Sequence, residues 1–201
     1  MAIGIPSARF STFMIMLCVS LANLDAQTVI KLPKNKYTPI PLPSTQYRTI
    51  KGGTVFEVAI PVNWNAVASK NAIRVIPENG SGQLNGQDVF THGVEFGVIP
   101  PGSRDLQQAT IAFLRAVAQG NPGLELAGSQ QTVQLSNRAA VATPLVNTSP
   151  LGGQERIALY TAFLADGSLF YYLTVAPERD VAALQETFRR VGGSIHLTDL
   201  R

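Results

Sequence analysis

The sequence predicts an α+β domain, an α/β/α sandwich with a mostly antiparallel sheet and two main helices. Three observations carry this. The strand-like segments between residues 130 and 176 follow one another too closely for helical crossovers, so neighbours must run antiparallel. Two of them, 155–164 and 168–176, are apolar on both faces, as strands covered from above and below are. Two segments carry apolar residues at helical spacing and supply the covering layers.

The elements follow in order. Val55–Val62, VFEVAIPV, alternates: Phe56, Val58 and Ile60 face one way, Glu57 and Ala59 the other. Asn63-Trp64-Asn65 ends that strand, and 72–77 reads as the next. ENGSGQLNGQ, 78–87, has the glycine and asparagine content of a loop. THGVEFGVIP, 91–100, is a strand stopped by Pro100-Pro101. Ser103 is placed to cap the first helix, with Asp105 in its first turn near the positive dipole end. Leu106, Ala109, Phe113, Leu114 and Val117 form its stripe, and Gly120 and Pro122 end it. Strands are expected near 130–136 and 138–147, then at 155–164 and 168–176. Asp166-Gly167 between the last two suggests a type I′ turn. The second helix spans about 178–191, with Val181, Leu184, Phe188 and Val191 inward. Gly192-Gly193 stop it, and 194–197 form a short final strand.

The N-terminus reads differently. Arg9 precedes an apolar run, Phe10–Ala22, with small-residue exits at Ala22 and Ala26. That order predicts a signal peptide over 1–26, and the run is too short to span a bilayer. Export to the periplasm or outside the cell is therefore expected, with no transmembrane span after cleavage. The one cysteine, Cys18, lies inside this run, and Met16-Leu17 before it do not fit a lipidation signal. The mature chain is then expected to lack disulfides and thiolate sites. Residues 27–50 are proline-rich and basic and read as an extended linker, with the domain at 51–201. Lys31, Lys34, Lys36, Arg48 and Lys51 concentrate the positive charge there. From Gly52 onward ten Lys/Arg face twelve Asp/Glu, so the domain carries no basic footprint for nucleic acid.

Candidate chemistry is sparse. In THGVEFGV, His92 shares a strand face with Val94, Phe96 and Val98, whereas Glu95 points to the other side. The two cannot chelate one ion, and His92 reads as a hydrogen-bonded core residue. No HExxH, calcium loop or G-x-S-x-G elbow occurs, and Gly80-Ser81-Gly82 leads into no helix. The acids lie mostly near turns and helix ends, where solvation accounts for them. Trp64 with Tyr171 or Tyr172 is the one aromatic set that suggests a ligand or partner surface, against core packing as the plainer role. No catalytic residue, metal site or cofactor is expected.

Phe56-Glu-Val-Ala-Ile-Pro-Val-Asn-Trp64 resembles the opening strand of PsbP-like domains. Thr91–Val98, Asp105–Thr110, Gly120-Asn-Pro122, Asp166–Tyr171 and Val175-Ala-Pro177 resemble the C-terminal, non-catalytic region of bacterial secreted CAAX-protease-like zinc metallopeptidases. The resemblance spans about 52–198. It implies an α/β/α sandwich that acts as an accessory or binding module and carries no catalytic residue over. The expected role is a non-enzymatic envelope module for a protein partner. The alternatives are a carrier of a small apolar or lipid ligand, and a stand-alone piece related to such a peptidase.

Overall fold

The computed structural model describes residues 38–69, 71–84 and 87–199. The expected signal peptide, 1–26, and residues 27–37 of the expected linker lie outside them. The chain forms β1 (Tyr47–Gly52), β2 (Phe56–Pro61), β3 (Asn65–Ala68), β4 (Ala72–Ile76), β5 (Ser81–Leu84), β6 (Gln87–Phe90) and β7 (Gly93–Ile99). After α1 (Leu106–Gln119) come β8 (Glu125–Leu126), β9 (Gln131–Leu135), β10 (Arg138–Thr148), β11 (Gln154–Phe163) and β12 (Leu169–Pro177). A 3-10 turn, Glu178–Asp180, leads into α2 (Val181–Gly193), and β13 (His196–Leu197) ends the described chain.

The central sheet runs β3-β4-β7-β12-β11-β10-β8, with β9 also paired to β10. Every pairing in it is antiparallel. Alternation along β11 and β12 then sorts side chains into two cores. Phe96, Tyr160, Phe170 and Tyr172 pack on one face beneath α2 and the small β1-β2-β13 sheet. Leu159, Leu169, Tyr171 and Leu173 pack on the other face beneath α1, with Phe113 and Ala109. The two helices thus lie one on each side, and the α+β sandwich stands with an added three-stranded sheet beside α2.

Several boundaries differ from the sequence reading. Residues 47–50, read as linker, belong to β1, because Tyr47 and Ile50 pack on the core while the backbone pairs with β2. Upstream, Ile40 packs on the same core, Asn63 Nδ2 donates to Leu42 O, and Ser44 N donates to Asn63 Oδ1. The tether from Thr38 onward is therefore laid on the domain. The stretch 78–87, read as loop, holds β5, which pairs with β6 as a hairpin reaching Phe90. Asp105, not Ser103, caps α1: its Oδ1 accepts from Gln108 N at 2.8 Å, while Ser103 Oγ accepts from Asp105 N. The β11–β12 turn is not type I′, since only Gly167 has positive φ there, at 82°. The type I′ geometry instead joins β9 to β10, where Ser136 and Asn137 have φ of 51° and 61°.

Candidate functional site

Among the buried polar side chains described, one histidine and two glutamates interrupt the two cores, and each has a different physical state. Glu95, on β7, points into the α1-side core. Arg74 on the neighbouring β4 donates from Nε to its Oε2 at 2.5 Å, and Tyr171 donates from its hydroxyl to Oε1 at 2.7 Å. Register accounts for the meeting: Arg74 pairs with Glu95 directly, and β12 lies on the other side of β7. The guanidinium also lies over the Phe90 ring, 5.7 Å from its centroid. This carboxylate is paired on both oxygens.

His92, fully buried just before β7, points to the opposite core. Its Nε2 lies 3.0 Å from Asp180 Oδ2 at the start of α2, and its Nδ1 lies 3.0 Å from Thr91 Oγ1. A carboxylate only accepts, so Nε2 donates to Asp180; the Thr91 hydroxyl also lies 3.0 Å from Gly80 O, and its single proton serves either that carbonyl or Nδ1. Burial holds the His92 pKa below its usual value against the opposing pull of Asp180, and Arg179 adds to the lowering. Hydroxyl, imidazole and carboxylate thus stand in hydrogen-bond reach, as in a nucleophile–base pair. Thr91 is only 2% exposed and His92 0%, however, and neither lines the grooves or cavity described below. The chain ties the approach to β7 to the start of α2.

Glu155, on β11, is the most perturbed acid. It is 1% exposed, Asn147 Nδ2 donates to its Oε1 at 2.9 Å, and its Oε2 has no hydrogen-bond partner. Burial pushes its pKa up to about 7, and the Asn147 bond only partly offsets this. It stands in the wall of a small cavity, about 50 Å³, under the C-terminal half of α1. With Glu95, it departs from the expectation that the acids sit in solvent near turns. Nothing in the local sequence QERIAL distinguishes its buried Glu155 from an exposed one; the alternation of Glu155, Ile157 and Leu159 is the available signal.

Burial also fixes a pH dependence. The His92 pKa is lower folded than unfolded, so its contribution to stability is complete above about pH 6.5 and is lost as pH falls through the folded value. Glu155 acts oppositely: its contribution is complete below about 4.5 and is lost as pH rises through about 7. The two slopes overlap, so His92 is best isolated in a Glu155→Gln background. There, stability by urea unfolding should fall between pH 7 and pH 5, and His92→Leu should flatten that fall. An unchanged slope in the double variant would rule out His92 as its source.

Trp64 and Tyr172 share one core and Tyr171 lies in the other. Trp64 and Tyr172 lie in the core beneath α2, where Trp64 meets Phe188 edge-on at 6.3 Å. Tyr171 lies across the sheet, 4.9 Å from Phe113. Their exposures are 0%, 1% and 2% for Trp64, Tyr171 and Tyr172, so none of the three presents a ring to solvent. Core packing claims Tyr171 and Tyr172 because a strand covered on both sides buries every side chain, and it claims Trp64 from the connection between β2 and β3. Tyr172 still reaches the wall of an open groove.

That groove is the feature the sequence left hidden. α2 sits over β2 and β12 and leaves the same sheet face bare over β9, β10 and β11. The space between holds about 740 Å³. Val133, Pro144, Ala158 and Tyr160 floor it, and Phe188 and Arg189 form the α2 side. Tyr160 stacks on Tyr172, which stacks on Phe96, at 5.5 and 5.2 Å between centroids. The half-buried Tyr160 is thus the outer end of a fixed aromatic row. At the rim, Arg156 and Arg189 are held by Glu178 and Glu186. A second open space, about 870 Å³, lies among three turns at the end of the sandwich. No group of three or more His, Cys, Asp or Glu that could hold a metal occurs among the described residues. No helix among them is long and apolar enough to cross a membrane.

A mostly antiparallel sheet with one helix per face defines a PsbP-like α+β fold, and comparison with solved structures agrees. The chain is similar to cyanobacterial PsbP (CyanoP) from Synechocystis sp. PCC 6803, with TM-score 0.56 and 11% identity over 80% of this chain and 96% of that one. It is similar to the Ran-binding protein Mog1p of Saccharomyces cerevisiae, with TM-score 0.51 and 11% identity over 78% and 97% of the two chains. At such identity the likeness is one of fold. No family model and no curated protein matches the chain.

Proposed function

We propose that this protein is an exported, non-enzymatic accessory module that binds a protein partner in the cell envelope. The bare sheet face beside α2 is the observation that carries the reading. It offers a rigid apolar floor with an aromatic centre and a charged rim, the anatomy of a protein-binding patch. A structural neighbour named as a Ran-binding protein makes partner binding a reasonable use of the fold. The carrier alternative has less support, since the space under α1 holds about 50 Å³ against roughly 300 Å³ for a typical small-molecule site, and the two larger spaces, about 740 and 870 Å³, lie open. Export rests on the charge, apolar run and small-residue exits of residues 1–26. The resemblance to secreted metallopeptidases would make a peptidase-containing assembly one setting for the module.

The test uses the full chain, expressed in its host with a C-terminal tag and recovered from the exported fraction. A mature mass beginning at Asn23 or Gln27 is expected, with a defined protein co-purifying under mild cross-linking. Ala158→Arg, which fills the groove floor from a half-buried position, should reduce the cross-linked yield at least tenfold with an unchanged unfolding midpoint. His92→Leu should leave the yield intact. Equal capture by wild type and Ala158→Arg would remove the groove from this role, and an uncleaved cytoplasmic chain would remove export.

A further inference from the structure

The space around Glu155 is unlike the rest of the molecule. Its walls are apolar: Phe113, Leu114 and Val117 from α1, and Leu145, Leu159 and Leu173 from the sheet. One carboxyl oxygen faces this environment with no partner. At about 50 Å³ the cavity has room for roughly one to three waters, fewer than a buried carboxylate needs for full solvation. The neighbours offer no countercharge. β10 presents the neutral Asn147, and β12 places Pro177 opposite. α1 and the segment after it contribute the neutral Asn121. Arg74 of β4 shares the cavity wall but is held by Glu95. Arg156 lies next in β11, ion-paired with Glu178, and Glu125 of β8 is exposed.

The helix above is fastened unevenly. Near its start, Thr110 Oγ1 and Thr161 Oγ1 lie 2.6 Å apart in a buried hydrogen bond to the sheet. Between Phe113 and Leu124 apolar contacts over the cavity seat it, with Asn121 bonded back to the helix itself at Val117 O, until Glu125 and Leu126 of β8 pair with Val146 and Leu145 of β10. We propose that Glu155 is a proton-controlled latch: with its proton on, the segment from Phe113 to Leu124 stays seated, and loss of the proton makes that segment lift to admit water. Lifting exposes Leu114, Val117 and Leu124 as a second apolar surface, across the sheet from the groove. The latch is independent of the partner-binding reading.

Linkage sets the size of the effect. A carboxyl that is buried when the segment is seated and solvated when it lifts binds its proton more tightly in the seated form. The opening constant should then rise about tenfold per pH unit from roughly 4.5 to 7 and level off above. Amide hydrogen exchange on the full chain, divided by the intrinsic rate at each pH, reads this directly. Between pH 5 and pH 7.5, amides of residues 113–119 should open on the order of 50-fold more often. Residues 107–110 and the middle of β11 and β12 should change several-fold less. Glu155→Gln, which keeps the Asn147 contact and cannot ionise, should abolish the rise; Glu155→Met serves if Gln disturbs the fold. A flat profile in the wild type, a uniform rise across helix and sheet, or a rise that survives in the variant would each overturn the latch.

Discussion

Replacing Arg74 by alanine should destabilise the domain by about 3 kcal/mol. The change leaves the Glu95 carboxylate inside the core with the Tyr171 hydroxyl as its remaining partner. The figure sits at the low end for a broken buried pair because Arg74 is 30% exposed, so water can follow into the space it leaves. Denaturant unfolding at pH 7 measures it. Converting the group as a whole, by Arg74→Met with Glu95→Met and Tyr171→Phe, should recover most of the loss. Burying well-packed apolar groups in place of a satisfied ion pair is often neutral. If the triple variant is as unstable as Arg74→Ala, the pair is not the source of the cost.

Gly97→Ala should be comparably damaging although it adds one methyl group. A Cβ at this position would lie 2.4–2.5 Å from the ring and hydroxyl of Tyr171. That ring has nowhere to retreat: Phe113 of α1 packs against it, and its hydroxyl is fixed on Glu95. Overpacking costs about 1–3 kcal/mol, and displacing a hydrogen bond to a charged group adds about 1.5–3 kcal/mol. A total of about 3–4 kcal/mol is expected by thermal unfolding. The cause is separable by a double-mutant cycle. In a Tyr171→Leu background, which leaves room for the methyl, the same substitution should cost less than about 1 kcal/mol. Equal costs in the two backgrounds would mean that β7 itself, and not the ring, rejects the side chain.

Both sites show where sequence reading reaches and where it stops. The opposite facing of His92 and Glu95 was legible, because side chains on a strand alternate. So were the two-sided burial of β11 and β12 and the stripes of both helices, which are local periodicities. The partners were not legible. Arg74 and Glu95 lie 21 residues apart, and His92 and Asp180 lie 88 apart. Those meetings depend on strand register and on how a helix end is docked. Asp-Gly at 166–167 pointed to a type I′ turn, yet that geometry fell to Ser136-Asn137, where strand pairing imposes positive φ on a serine and Asn137 tolerates it. β1 was missed because its prolines lie just upstream and its apolar residues, Tyr47 and Ile50, gain their value from packing on β2 and α2. Trp64, Tyr171 and Tyr172 have the right chemistry for a surface, but their layer assignment put them inside.

The sequence by itself determined the class of the fold, the two helices and the sorting of apolar residues onto two sheet faces. These follow from backbone geometry with periods of two and 3.6 residues, which any stretch of chain obeys without reference to the rest. Only the tertiary structure decided which acids lost their water, which pairs met across strands, and that α2 leaves part of one sheet face uncovered. Burial and register are properties of the whole packing, and no local stretch of residues contains them.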